Sequence, residues 1–244
     1  MHIKERMARK TIQTLLPIPV DARHAEYSML FSADDDPGRP SAFLIDLALR
    51  AIGQAQAISL DHVCSRMSEP PYYPNIWPGE NYRLLAGLIS TLSPKRVVEV
   101  GTGGGTSTLS MLQMLAPEAR LVTFDIVPWA QYPGTLLRER DFLDGRVTQH
   151  VEDVTQPEIF AKHRALFERA DFVFLDAAKD GVMEQRLLDQ LRAISPAARR
   201  LVMLLDDIRV WKMLRTWRMI EHPKLDVTSF GHWCGAGLVE WGGR

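Results

Sequence analysis

Cysteine is scarce in this chain, with Cys64 and Cys234 the two present among 244 residues, and neither stands in a CxxC pair. That excludes a disulfide framework and a zinc site built on paired thiols, and leaves two small packing side chains. A run of about 18 apolar residues, the minimum for a membrane-spanning helix, is also missing. The stretch from Leu15 to Val20 is short and broken by Pro17 and Pro19, so no secretory h-region is read there. The protein is therefore expected in a reducing cytoplasm. Charge of one sign is lacking as well: the formal net charge is -1. No global positive field draws nucleic acid or anionic lipid, and no aromatic-basic groove is evident. The basic residues Lys4, Arg6, Arg9 and Lys10 read as a solvated terminus. A small-molecule partner is expected, with no nucleic acid and no membrane.

What is present is ordinary for a globular enzyme: 46% hydrophobic and 24% charged residues. Residues 1 to about 40 look irregular, and Asp34-Asp35-Asp36-Pro37-Gly38-Arg39-Pro40 is a loop by composition. Ser41 is placed to cap a helix over Phe43 to Ala57. The Pro-rich break Glu69 to Pro74 suggests a boundary, with residues 1–70 as an N-terminal cap segment and 71–244 as the main domain. The cap segment could cover an active site or mediate a homodimer.

After the break, strands and helices alternate. Strands are expected at Arg96 to Val100, Arg120 to Ile126, Arg146 to Val151, Asp171 to Leu175 and Arg200 to Leu205. Helices are expected at Asn81 to Leu92, Thr106 to Leu115, Leu136 to Leu143, Glu158 to Glu168 and Val182 to Ile194. This alternation predicts an α/β fold, a mostly parallel sheet with helices on both faces. Asp226 to Phe230 and Leu238 to Trp241 read as two further strands, joined through the Gly-rich stretch Gly231 to Gly237. They make seven strands in all and a C-terminal antiparallel hairpin.

The first strand runs into Gly101-Thr102-Gly103-Gly104-Gly105 just before a helix. Glycines let the backbone turn sharply and approach a ligand, and the free N–H groups of the helix start face it. A GxGxxG dinucleotide loop would need glycine at Thr106, so that match fails. The pattern is instead E-x-G-x-G-x-G from Glu99. A loop kept glycine-rich for strand-to-helix packing alone is the alternative. Asp125 ends the second strand, and an acid about 20 residues past such a loop accepts hydrogen bonds from both ribose hydroxyls. The third strand ends at Glu152-Asp153-Val154, where Asp153 either reaches an adenine amino group or starts a turn.

Asp176 follows the fourth strand, and Asp206-Asp207 the fifth. Parallel strands place all three on one carboxyl edge, where they repel unless a cation is shared. An all-oxygen set suits Mg²⁺, Ca²⁺ or Mn²⁺. Asp207 as the N-cap of a helix near Ile208 is the competing reading. Lys179 is either a base whose pKa a cation and low polarity depress, or a solvated partner of Asp180.

Residues 78 to 244 resemble the class I S-adenosylmethionine-dependent methyltransferases, and within them the catechol and caffeoyl-CoA O-methyltransferases. Pro78-Gly79-Glu80, the loop Glu99 to Ser107, the strand Leu121 to Ile126 and Phe174-Leu175-Asp176-Ala177-Ala178-Lys179-Asp180 carry the likeness. The resemblance implies a Rossmann-like fold and S-adenosylmethionine held by Glu99, Gly101, Thr102, Gly103, Ser107, Asp125, Ile126, Asp153, Val154 and Asp176. It implies Asp176 and Lys179 as catalytic residues, and Asp176, Asp206 and Asp207 as ligands of a divalent ion. Asp207 stands where that family has Asn. The expected reaction is O-methylation of a small hydroxyl compound. Metal-independent N- or O-methylation, an NAD-linked oxidoreductase and a non-catalytic binding module are the alternatives. His232 and Trp233 could close over an acceptor, and Tyr72, Tyr73 and Trp77 could stack on it, although packing roles suit them all.

Overall fold

Ser41 caps the first helix of the described residues: its backbone is extended and its side chain accepts from the Leu44 N–H. The computed structural model describes residues 38–194 and 200–242. The basic residues at 4, 6, 9 and 10, the stretch 15–20 and the loop at 34–37 lie outside them. Helix α1 (Ala42–Ala57) turns Leu44, Leu47, Ala48, Ala51 and Ala55 inward at helical spacing. The short α2 (Asp61–Cys64) follows, and then α3 (Tyr82–Leu92), with Asn81 at its N-cap. Among the described residues, no helix is long and apolar enough to cross a membrane.

The sheet strands are β1 (Arg96–Val100), β2 (Arg120–Asp125), β3 (Val147–Val151), β4 (Phe172–Leu175), β5 (Leu201–Asp206), β6 (Lys224–Asp226) and β7 (Ala236–Trp241). Between them run α4 (Thr106–Met114), α5 (Pro157–Arg169), α6 (Val182–Arg192) and α7 (Trp211–Arg218). Their order across the sheet is β3-β2-β1-β4-β5-β7-β6. The first five pair in parallel; β7 is antiparallel to both β5 and β6. The strand order reverses at β1 and β4, which opens a crevice at their carboxyl ends.

β4 and β5 are buried along their whole length, as continuous apolar runs predict. Phe172 and Phe174 join Leu44, Leu84 and Leu238 in one hydrophobic cluster. Each such side chain contributes about 1.5–3 kcal/mol by leaving water. The cluster includes α1 residues, and the chain from Gly38 onward forms one compact unit. The Pro-rich break near residue 70 therefore interrupts the path of the chain, while residues 38–70 pack with the rest; the expected division at 70/71 is not a division of the core.

Two expected elements take other forms. Leu136 to Leu143 is not a helix, and only Glu139–Asp141 makes a 3₁₀ turn. Its donors are used elsewhere: Leu136 N–H bonds to the Gly104 carbonyl, Arg138 N–H to Asp141, and Asp141 accepts from the Arg66 guanidinium at 2.5 and 2.8 Å. The strand expected at Asp226 to Phe230 lies earlier, at Lys224–Asp226, because the Asp226 carboxylate accepts from the Thr228 N–H and hydroxyl and turns the chain into a 3₁₀ segment.

Candidate functional site

The crevice holds a cavity of about 750 Å³, a size suited to a small ligand. Its floor is the glycine loop. Gly101 has φ +102, and a Cβ there would lie 1.7 Å from the Asp176 carbonyl oxygen. Only glycine lets the ends of β1 and β4 lie so close together. Gly103, at φ +48, donates its N–H to Asp125 at 2.8 Å. Gly101, Thr102, Gly103 and Ser107 line the cavity, and so do Asp125, Ile126, Asp153, Val154, Asp176 and Lys179.

Glu99 does not line it. Fully buried beneath the loop, it accepts from the Ser107 and Thr108 hydroxyls at 2.6 Å each, tying β1 to the first turn of α4. Burial pushes its carboxyl up to about 7, with these hydrogen bonds opposing the rise. The folded state thus holds the proton more tightly than the unfolded chain does. That contribution to stability is complete below the ordinary value of 4.5 and is lost as pH rises through about 7. Glu99→Gln should remove this loss. Relative to the parent, the variant should gain roughly 2–3 kcal/mol between about pH 5 and about pH 8, read from urea midpoints. An unchanged gap would show that Glu99 titrates normally.

Thr102 presents only its backbone to a ligand, because its hydroxyl pairs with Thr123 at 2.7 Å and receives Gln149. Asp125 uses one oxygen on Gly103 N–H and the other on Val127 N–H, leaving each a second lone pair toward the cavity wall. Ile126 is 71% exposed at the rim. Val154 is buried. Asp153 organises a turn: it accepts from the Thr155 N–H and hydroxyl and from Gln156. Burial works against its charge, but these donors outweigh it and lower its pKa. The carboxylate is thus largely committed to the chain.

At the other end of the cavity, oxygens of Asp176, Asp206 and Asp207 lie within 4.8 Å of one another. The Lys179 ammonium contacts all three, at 3.1 Å from Asp176, 3.7 Å from Asp206, and closest to Asp207. Burial would lower the Lys179 pKa, but the carboxylates outweigh it and raise it. The sequence leaves Lys179 as either a depressed base or a solvated partner of Asp180; its ammonium stands among Asp176, Asp206 and Asp207. Lys179 and Asp207 both sit at φ 57, a left-handed conformation unusual for non-glycine residues and common at functional sites. Buried Glu184 fixes the Lys179 loop by accepting the N–H groups of Lys179 and Gly181. Asp207 is not a helix cap, because α7 starts at Trp211 with Val210 before it.

Sequence reasoning missed two partners of this cluster. Buried Asn81 donates to Asp206 at 2.8 Å. His232 Nδ1 lies 3.0 Å from Asp207 and 3.5 Å from Asp206, and these contacts push it up to about 10 against the effect of burial. His232 is thus anchored on the acids, and a bridge between Gly79 and His232 explains how it arrives there. The only available signal was Pro78-Gly79-Glu80. Burial and neighbouring acids raise the pKa of both Asp176 and Glu80. Fully ionised, these four carboxyl groups would outnumber the two cations and leave a surplus of negative charge, and two of them hold their protons more tightly for that reason. The hard oxygen donors and that surplus fit a divalent ion, which would compete with Lys179 for the same oxygens. Of the aromatics, Tyr73 lines the cavity and bonds Thr106 at 3.2 Å; the Trp77 indole N–H donates to the Phe230 carbonyl, and Trp233 is 73% exposed.

Residues 98–208, from β1 through the Asp206-Asp207 pair, match a family described as a methyltransferase domain. The catechol O-methyltransferase of Mycobacterium tuberculosis is 31% identical over 160 residues, covering 60% of this chain and 68% of that protein. Catechol O-methyltransferase B of Danio rerio is 30% identical over 134 residues, covering 54% of this chain; the chain spans about half the length of that relative, 49%. The crystal structure of a methyltransferase from Geobacter sulfurreducens superposes with a TM-score of 0.50 at 18% identity, covering 75% of this chain and 92% of that one. That likeness concerns the Rossmann-like fold alone.

Proposed function

This chain belongs to the class I S-adenosylmethionine-dependent methyltransferases, and we propose that it methylates an oxygen of a small-molecule acceptor with a divalent ion assisting. The observation that carries this reading is that Asp176 and Lys179 belong to two places at once: they line the cavity over the glycine loop and form part of the acid cluster. A donor and an acceptor bound on either side of them would meet there.

When bound, S-adenosylmethionine supplies a methyl group already activated on a sulfonium, and a divalent ion supplies a Lewis acid that acidifies a hydroxyl. The chain supplies alignment. Gly101, Thr102 and Gly103 offer close backbone approach, and Ser107 is held by Glu99 at the start of α4. Asp125 would take the ribose hydroxyls on its free lone pairs. Ile126 and Val154 line the cavity beside the turn that Asp153 holds, and would pack on the adenine. Asp176, Asp206 and Asp207 would hold the ion. Lys179 is placed to take the acceptor's proton once those acids are compensated. The unpaired thiols of Cys64 and Cys234 suit a reducing cytoplasm.

The test is transfer of isotopically labelled methyl to a panel of hydroxyl compounds, with Mg²⁺ or with chelator. We expect an alkali-stable methyl ether whose formation falls at least tenfold with chelator, and a loss of that ion dependence in Asp176→Asn. Labelled nitrogen products, or turnover indifferent to chelator, would contradict the oxygen and metal parts respectively.

A further inference from the structure

A second cluster of ligand-bearing side chains lies at the opposite edge of the sheet, away from the acid trio. His150 and Glu152 are two residues apart at the end of edge strand β3, so they share one face. Helix α5 lays His163 over that face. One ligand atom from each of His150, Glu152 and His163 lies within 4.8 Å of the others. His163 is 6% exposed, and its Nε2 stands 2.5 Å from Glu152 Oε2. The two imidazole rings are 4.5 Å apart, and Phe124 packs against both, at 5.2 and 5.0 Å between centroids.

We propose that His150, Glu152 and His163 form a binding site for a transition-metal ion, best suited to Zn²⁺, that clamps edge strand β3 to α5. Two imidazole nitrogens and one carboxylate oxygen form a borderline donor set. It suits Zn²⁺ over Mg²⁺ or Ca²⁺, and a fourth position is left for water. Tetrahedral zinc with bonds of about 2.0–2.2 Å draws its ligands to roughly 3.3 Å apart. The half-buried His150 and Glu152 can reach that by side-chain rotation, while His163 stays fixed by packing. Lys162 supports the arrangement from outside: it bonds the other Glu152 oxygen at 2.5 Å and orients the carboxylate, while Oε2 holds His163 Nε2, a contact that the ion would replace by bridging the two atoms. A clamp here has a structural purpose. Among the described residues β3 pairs with β2 alone in the sheet, and its other edge would gain a cross-link to a packed helix.

Glu152 also lines the cavity over the glycine loop, so the proposed site adjoins the cofactor space, and its test reads metal binding and not methyl transfer. The test uses the whole chain with Co²⁺ and Zn²⁺, comparing the parent with His150→Gln, His163→Gln and Asp207→Asn. In the parent, Co²⁺ should give visible bands of nitrogen and oxygen ligation without a thiolate charge-transfer band, and excess Zn²⁺ should raise the melting temperature. His150→Gln, a half-buried change that leaves the Phe124 packing of His163 in place, should weaken the Zn²⁺ affinity at least tenfold and abolish the thermal shift. Asp207→Asn, which alters the acid cluster, should retain the Zn²⁺ equivalent and the part of the thermal shift that are lost in His150→Gln. Equal affinity and stoichiometry in His150→Gln and the parent would overturn the proposal. So would a thiolate band with loss of binding in Asp207→Asn, which would place the ion at Asp207, His232 and Cys234 instead.

Discussion

Gly101→Ala should cost on the order of 4 kcal/mol of folding stability, and cofactor binding with it. The added methyl would meet the Asp176 carbonyl oxygen at 1.7 Å and its carbonyl carbon at 2.6 Å. Both are backbone atoms of the neighbouring strand end, so no side-chain rotation relieves the overlap. The residue also sits at φ +102, where an L side chain is strained. Gly145→Ala is the control. Gly145 has φ +70 with nothing within 4 Å of a Cβ, so only the conformational penalty applies, about 1 kcal/mol. Urea unfolding of the two variants separates close approach from left-handed strain. Equal losses would mean that the two strand ends can part cheaply, and that the loop is not held in the form described.

Asp125→Ala should weaken binding of S-adenosylhomocysteine about 100-fold, because hydrogen bonds to a charged group contribute roughly 1.5–3 kcal/mol each. Part of that loss comes through the loop, since Asp125 also holds the Gly103 and Val127 N–H groups. Asp125→Asn keeps one acceptor oxygen and should lose about tenfold. Calorimetric titration reads both. Affinity unchanged in Asp125→Ala would remove the residue from the cofactor site.

The glycine loop, Asp125, Asp176, Asp206 and Asp207 are legible in the sequence because strand polarity alone brings the ends of parallel strands to one edge. β4 and β5 are equally legible as short continuous apolar runs, and β1 as the short strand that leads into the glycine loop. The Leu136 to Leu143 segment is not legible: its fate is decided by Arg66, some seventy residues away, and by the Gly104 carbonyl. The same holds for Asn81 and His232, which reach the acid cluster through the long-range contact between Gly79 and His232. Local pattern carries no trace of such pairings. The state of Lys179 stays open in the sequence for a related reason. It depends on how many carboxylates reach the ammonium, and strand polarity brings Asp206 and Asp207 to the same edge without showing that they turn toward Lys179.

Central to the account is that the crevice over Gly101 to Ser107 takes the S-adenosyl cofactor and not a dinucleotide. Calorimetric titration of the whole chain with S-adenosylhomocysteine, beside NAD under identical conditions, tests it most directly. The account predicts micromolar binding of the thioether and no heat from NAD. Heat from NAD with none from S-adenosylhomocysteine would contradict it.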